Sequence, residues 1–333
     1  MLGKEWNSLL TFIQNISAAV SLFLNSFLIF LIVKKSPKQL GPYRWLMIYI
    51  SVFELLYSIL DVVLAPQHYS HGPIFLTIVG TENKLFHRPT LTILNACYWG
   101  CFGASMAVFA VHFVYRYLVL SGHRLRLTFY GCKIWFWFSI PVWYAAVWYC
   151  TGYFLAEPNE ATTRFIRRIH CLGPYLYETT TDGNIKVHIL PFIGLAIISA
   201  TIVSSIIFIV LFATLCYIRI SDLVVTTIIS ARIRSLQRQL FYALVIQTLV
   251  PLILMHIPAA IMFAFVFLNI DLGVYSAIVS MTIALYPAVD PIPTMVIVKN
   301  YRRTILKYLG LGKTKISAES QKRFDPTELQ MKF

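Results

Sequence analysis

Seven apolar stretches, roughly 9–33, 45–66, 91–120, 134–155, 187–217, 241–268 and 272–298, constrain this chain more than any other feature. Each is long enough to cross a hydrocarbon core, which takes about 20 helical residues. Seven such spans predict an all-α membrane protein, a seven-helix bundle forming one domain over residues 1–310. Composition agrees, with 58% hydrophobic residues, 13% charged residues and a mean hydropathy of +0.70. A soluble chain of 333 residues needs far more polar surface.

The basic residues sort by loop. With the N-terminus outside, 21 of the 28 Lys and Arg fall on the inner side. They include Lys34, Lys35 and Arg44 after the first span, Arg116 and Arg124 after the third, and Arg232, Arg234 and Arg238 before the sixth. This bias predicts the N-terminus out and the C-terminus in. The net charge of +14 then reads as orientation and contact with anionic membrane lipids rather than nucleic-acid affinity. The first apolar run is too long for a signal-peptide core.

No internal repeat is visible, which argues against inverted-repeat transporter folds. Two longer outer loops, about 67–90 and 156–186, are rich in Thr, Asn, Gly and Pro. The connection Asn269-Ile270-Asp271 is so short that the last two spans must be antiparallel neighbours. After the seventh span, residues 299–309 place Tyr301, Ile305, Tyr308 and Leu309 on one helical face and Lys299, Arg302, Arg303 and Lys307 mostly on the other. That pattern predicts a short amphipathic helix on the inner membrane surface. Residues 311–333 are polar and read as a disordered cytoplasmic tail.

Ionisable residues within spans are costly and mark function by default. Glu54 and Asp61 share one face of the second span, seven residues apart. Glu54 and Asp290 both fall about 14 Å above the inner boundary on different spans, so they are candidates for an interior switch. They can share a proton or a cation, or Asp290 can reach His112. Pro287, Pro291 and Pro293 surround Asp290 and leave backbone carbonyls that need partners. At the inner end of the third span, Arg116 either snorkels to headgroups or turns inward with His112, four residues before it. Pro251 and Pro258 kink the sixth span around His256. Candidate ligand anchors in the outer half are Asp61, Asn95, Tyr98, Phe102 and His256. Cys97 or Cys101 can reach Cys171 in the outer loop as a disulfide, or stay a buried thiol. No enzyme motif, metal spacing or cofactor signature is present.

Several runs carry a resemblance. His112-Phe113-Val114-Tyr115-Arg116-Tyr117, Leu236-Gln237-Arg238-Gln239-Leu240-Phe241-Tyr242 through Pro251, Tyr286-Pro287-Ala288-Val289-Asp290-Pro291 and Lys299-Asn300-Tyr301-Arg302-Arg303 resemble nematode serpentine chemoreceptors of the Str class. Leu40-Gly41-Pro42-Tyr43-Arg44-Trp45 adds to this, and the resemblance covers roughly residues 6–310. It implies a G-protein-coupled odorant or chemosensory receptor in the plasma membrane of sensory cilia. It further implies a small-molecule odorant and a heterotrimeric G protein as partners. Arg116 then stands where rhodopsin-like receptors keep a third-span Arg, although Tyr115 replaces the acid before it. His112, Arg116, Arg232, Arg234, Arg238, Asp290 and Glu54 become candidates for switching and G-protein coupling. The alternative is a ligand-gated channel or a transporter of small solutes.

Overall fold

A computed structural model describes residues 4–79, 86–155, 171–173, 176–179, 184–225 and 231–311. The chain forms α1 (Lys4–Lys35), α2 (Tyr43–Leu64), β1 (Gln67–His71), β2 (Ile74–Ile78) and α3 (Arg88–Leu120). Next come α4 (Ile134–Cys150), β3 (Cys171–Leu172), β4 (Tyr177–Thr179), β5 (Ile185–Val187) and α5 (Ile189–Val225). Helix α6 runs as Ala231–Pro251, passes through a π-helical turn at Leu252–His256 and ends as Ile257–Phe267. Helix α7 comprises Ser276–Val289 and Pro291–Ile297, broken at Asp290, and α8 is Lys299–Tyr308. The expected tail from residue 312 onward, and Arg164, Arg167 and Arg168 of the second outer loop, lie outside the described residues.

Among the described residues six helices are long and apolar enough to cross a membrane: α1, α2, α3, α5, α6 and α7. The remaining apolar stretch, α4, has 17 α-helical residues and then widens into a π turn at Thr151–Leu155. Its helical path therefore still reaches Leu155, but not as one uninterrupted α-helix.

Helix α3 is the axis of the bundle. Of its most apolar window 72% is buried, against 17% for α5, whose Val203, Ile207 and Val210 side chains point outward. Apolar residues on both faces of a helix are stable only when the outward face meets lipid. Helix α3 packs on α4 and α5, α1 packs on α2 and α7, and the inner half of α7 packs on α6. Gly103 sets the approach of α3 to α4, because a Cβ there would meet the Trp148 ring at 2.1 Å.

The connection between α2 and α3 contains a β-hairpin. Strands β1 and β2 pair antiparallel from Gln67↔Ile78 to His71↔Ile74, and β3 adds to β2. Gly72 at φ +52 followed by Pro73 fills the two-residue turn, with the left-handed position first. The hairpin is sunk into the bundle. Its Ser70, Ile74, Leu76 and Thr77 are fully buried. Its root is fastened to α7 through His68 and Ser280, and its tip to the α6–α7 connection, where the Gly72 N–H donates to Asp271 and His71 Nδ1 lies 3.2 Å from the same carboxylate.

Candidate functional site

The functional groups form three layers along the bundle. The first is a cleft beneath the hairpin, walled by α3, α4, α5, α6 and α7. His68 and Phe75 hang from the hairpin; Tyr98, Trp99 and Phe102 come from α3, Trp148 from α4, and Met262 and Phe263 from α6. The space between the lining atoms is about 390 Å³. The cleft is therefore narrow and suits a small molecule or one that moves a ring aside. Phe75 and Phe263 meet across it at 4.6 Å with their rings tilted by 43°, and Phe102 contacts Trp148 at 5.4 Å and His256 at 4.9 Å.

The lining is aromatic and largely without free polar groups. Tyr98 Oη donates to Asp61 Oδ1 at 3.1 Å, Trp99 Nε1 to Thr77 Oγ1 at 3.2 Å, and Trp148 Nε1 to Thr201 Oγ1 at 2.8 Å. Of the expected anchors, Tyr98 and Phe102 line the cleft directly. Asp61 stands behind Tyr98 and reaches the cleft only through it. Asn95 is fully buried against the hairpin, 3.5 Å from the Thr77 carbonyl. His256 sits in the π turn with Nδ1 3.2 Å from the Pro251 carbonyl, behind Phe102. His68, which sequence reasoning missed, is the polar side chain at the cleft. Burial in its apolar setting pushes the imidazole down to about 4 from an ordinary 6.5, so it is neutral.

The middle layer is polar. Glu54 and Asp290, placed at matched depth by the sequence, are buried neighbours that interact across α2 and α7. Glu54 Oε1 and Asp290 Oδ1 have no donor among the described residues. Carboxylate oxygens only accept, so joining them takes a proton or a cation between them. Gln247 of α6 donates to Asp290 Oδ2 at 2.9 Å and to its carbonyl at 3.1 Å, while Thr294 donates to Gln247 Oε1 at 2.7 Å. Asp290 thus accepts from Gln247 and neighbours Glu54. It does not turn to His112, whose Nε2 takes the Leu46 carbonyl at 3.1 Å instead. Pro291 has no N–H to give the Pro287 carbonyl, and Asn25 Nδ2 caps that carbonyl at 3.0 Å.

In the third layer, at the end of the bundle away from the hairpin, Arg116 turns into the bundle. It is 2% exposed, donates to the Gln237 carbonyl of α6 at 2.7 Å and lies 5.1 Å over the Tyr43 ring. Among the described residues it pairs with no carboxylate. Tyr43 also stacks on Tyr115 at 5.5 Å and meets His112 edge-on at 5.6 Å. Arg234 is half-buried, Arg238 is exposed with its guanidinium 5.6 Å over Tyr242, and the Arg232 side chain lies outside the described residues. Helix α8 is locked in place by Tyr301, fully buried and 2.6 Å from Ser36, and by the Lys299 N–H on Gln239 at 2.8 Å. Cys97 and Cys101 carry free thiols, and the side chain of Cys171, the other half of the expected disulfide, lies outside the described residues.

Comparison with known proteins fits this arrangement. The family model for serpentine type 7TM GPCR chemoreceptors, Str, matches residues 10–306. The chain belongs to the Str family. Among its relatives, the Caenorhabditis elegans G-protein coupled receptor str-217 is 36% identical over 313 residues, covering 89% of each chain. Serpentine receptor class r-10 of Caenorhabditis briggsae is 30% identical over 345 residues, 96% of each chain, and its Caenorhabditis elegans counterpart is 30% identical over 327 residues. Str membership makes the chain a multi-pass membrane protein of a chemoreceptor family rather than of an enzyme family.

Proposed function

We propose that this Str receptor stands in the plasma membrane, in the sensory cilium, with its N-terminus outside and α8 on the inner surface. It takes a small, volatile, mostly apolar odorant into the cleft beneath the hairpin. It signals to a heterotrimeric G protein at the inner ends of α3 and α6, with Arg116, Arg232, Arg234 and Arg238 bordering that face. The observation that carries this reading is that α6 touches both ends of the path. Its Met262 and Phe263 line the cleft, its Gln247 holds Asp290, and its Gln237 carbonyl holds Arg116. The π turn at Leu252–His256 lies between the first two contacts and is the natural place for α6 to bend. A ligand that binds better when Phe263 and Met262 have shifted biases α6 toward release of Arg116.

The test is a cell assay with a G-protein readout and parallel current recording across a panel of volatile compounds. Responses are expected in the G-protein channel and are expected to vanish with Ala259→Phe, which fills the cleft from α6. Currents that persist when G-protein signalling is blocked would instead favour a ligand-gated channel.

A further inference from the structure

A second hollow opens at the end of the bundle away from the hairpin. It lies where the starts of α2 and α4 flank the end of α1, and the space between its lining atoms is about 1500 Å³. Its floor includes Ile32 and Phe129, both buried, and its rim includes Arg44, Trp45, Tyr130 and Trp135, all exposed. Ser36, also on its wall, bonds Tyr301, so the mouth stands at the level of α8. Among the described lining residues Arg44 alone is charged. Its guanidinium rests 5.0 Å over the Trp45 ring and pairs with no carboxylate among the described residues. The chain around the groove holds no counterweight: residues 34–44 and 116–135 carry eight Lys and Arg and no Asp or Glu.

We infer that this groove binds one anionic phospholipid, with the lipid phosphate on Arg44 and an acyl chain laid over Ile32 and Phe129 between the two indoles. The apolar floor suits a hydrocarbon chain, and a guanidinium meets a phosphate through paired donors. Exposed Trp45, Tyr130 and Trp135 mark headgroup depth, where amphipathic rings settle. Lys35 and Lys133, exposed beside the lining residues Ser36 and Ile134, add positive potential that favours a net negative head over a zwitterionic one. A soluble anion would satisfy Arg44 but leave the floor bare, so the occupant is a lipid. With this end inside, the groove meets the leaflet that carries anionic lipids. The binding itself does not depend on which way the receptor is inserted.

The experiment uses the full-length receptor in a neutral detergent, offered phosphatidylserine and phosphatidylcholine with the same acyl chains. Lipids held by the receptor are counted by native mass spectrometry. Phosphatidylserine is expected to be held over phosphatidylcholine by roughly fivefold, the effect of one Arg on an anionic head. Arg44→Gln should bring this ratio to about one. Arg44 is exposed, so the substitution leaves the core intact. Lys307→Gln removes an exposed base of α8 that does not line the groove, and should leave the ratio unchanged. Glycerophosphoserine, the same head without chains, should displace none of the bound lipid at equal concentration. Equal retention of the two lipids by the wild type, or a ratio that survives Arg44→Gln, overturns the inference. So does an equal fall with Lys307→Gln, which would mean attraction by diffuse charge. Displacement by glycerophosphoserine overturns it too, because the groove would then hold a head and no chain.

Discussion

Asn25 on α1 donates its side-chain amide to the Pro287 carbonyl on α7, 262 positions along the chain, at 3.0 Å. A proline four residues on makes this carbonyl an orphan, and an asparagine on a distant helix supplies the missing donor. Asn25→Ala should therefore destabilise the receptor by about 1–2 kcal/mol, less than a fully buried orphan in a rigid soluble core. Asn25→Leu should be no better, since it also lacks the donor. Melting of the detergent-solubilised receptor measures both, and an unchanged midpoint would mean that the carbonyl finds another partner.

Asp290→Asn keeps the size of the side chain but alters what it shares with Glu54. An amide can donate to Glu54 without a bridging proton or cation, and its oxygen still accepts from Gln247. The pair should then become a fixed hydrogen bond rather than a group that gains or loses a bridge. Basal signal or ligand potency should shift severalfold at matched surface expression, with folding intact. A dose–response curve that overlays the wild type reduces Asp290 to a packing residue.

Arg116→Ala removes the tie to the Gln237 carbonyl and the contact with Tyr43. Surface expression should persist while ligand-evoked signalling falls. Arg116→Lys should recover part of the signal but not all of it, because an ammonium reaches one acceptor where the planar guanidinium bonds and stacks together. Full signalling in Arg116→Ala would assign the residue to packing alone.

Gly103→Ala inserts a methyl where the Trp148 ring already stands. Overpacking of this kind costs about 1–3 kcal/mol. Trp148 must retreat, breaking its bond to Thr201 and reshaping the wall it shares with Phe102. The substitution should lower thermal stability and change ligand potency together.

Acid should loosen the hairpin. His68 titrates near 6.5 when unfolded and near 4 in place, so between these values unfolding takes up a proton. Its contribution is complete above pH 6.5 and falls as pH drops toward 4, by up to about 1.4 kcal/mol per unit. The stability difference between wild type and His68→Gln should shrink by that slope over this window. A difference that stays constant with pH would mean the imidazole is already protonated or solvated.

Much of the bundle could be read from apolar run length, because a lipid solvent leaves a chain few options beyond helices. The matched depth of Glu54 and Asp290 also followed from counting residues against the basic boundary. Asn25, Gln247 and Thr294 were not read as their companions, since a lone amide or hydroxyl in an apolar span has no period to betray its direction. The hairpin escaped for another reason. Ser70 and Thr77 are polar yet fully buried, so its outward–inward alternation is not one of polar and apolar residues. The Gly72-Pro73 pair between two five-residue runs was the available signal. His68 and Ser280 lie 212 positions apart, and nothing local to either announces the other.

The placement of His68 on a strand rather than on a helix separates two tasks that a membrane protein usually has to reconcile. A residue in a span is judged first by the insertion machinery, which penalises every polar substitution at depth. The hairpin lies outside the spans and is buried between the helices. Its ten strand residues can exchange polar for apolar groups without altering which segments enter the bilayer. Chemical preference in such a receptor is thus free to drift in a short stretch of chain while the topology of the whole stays fixed.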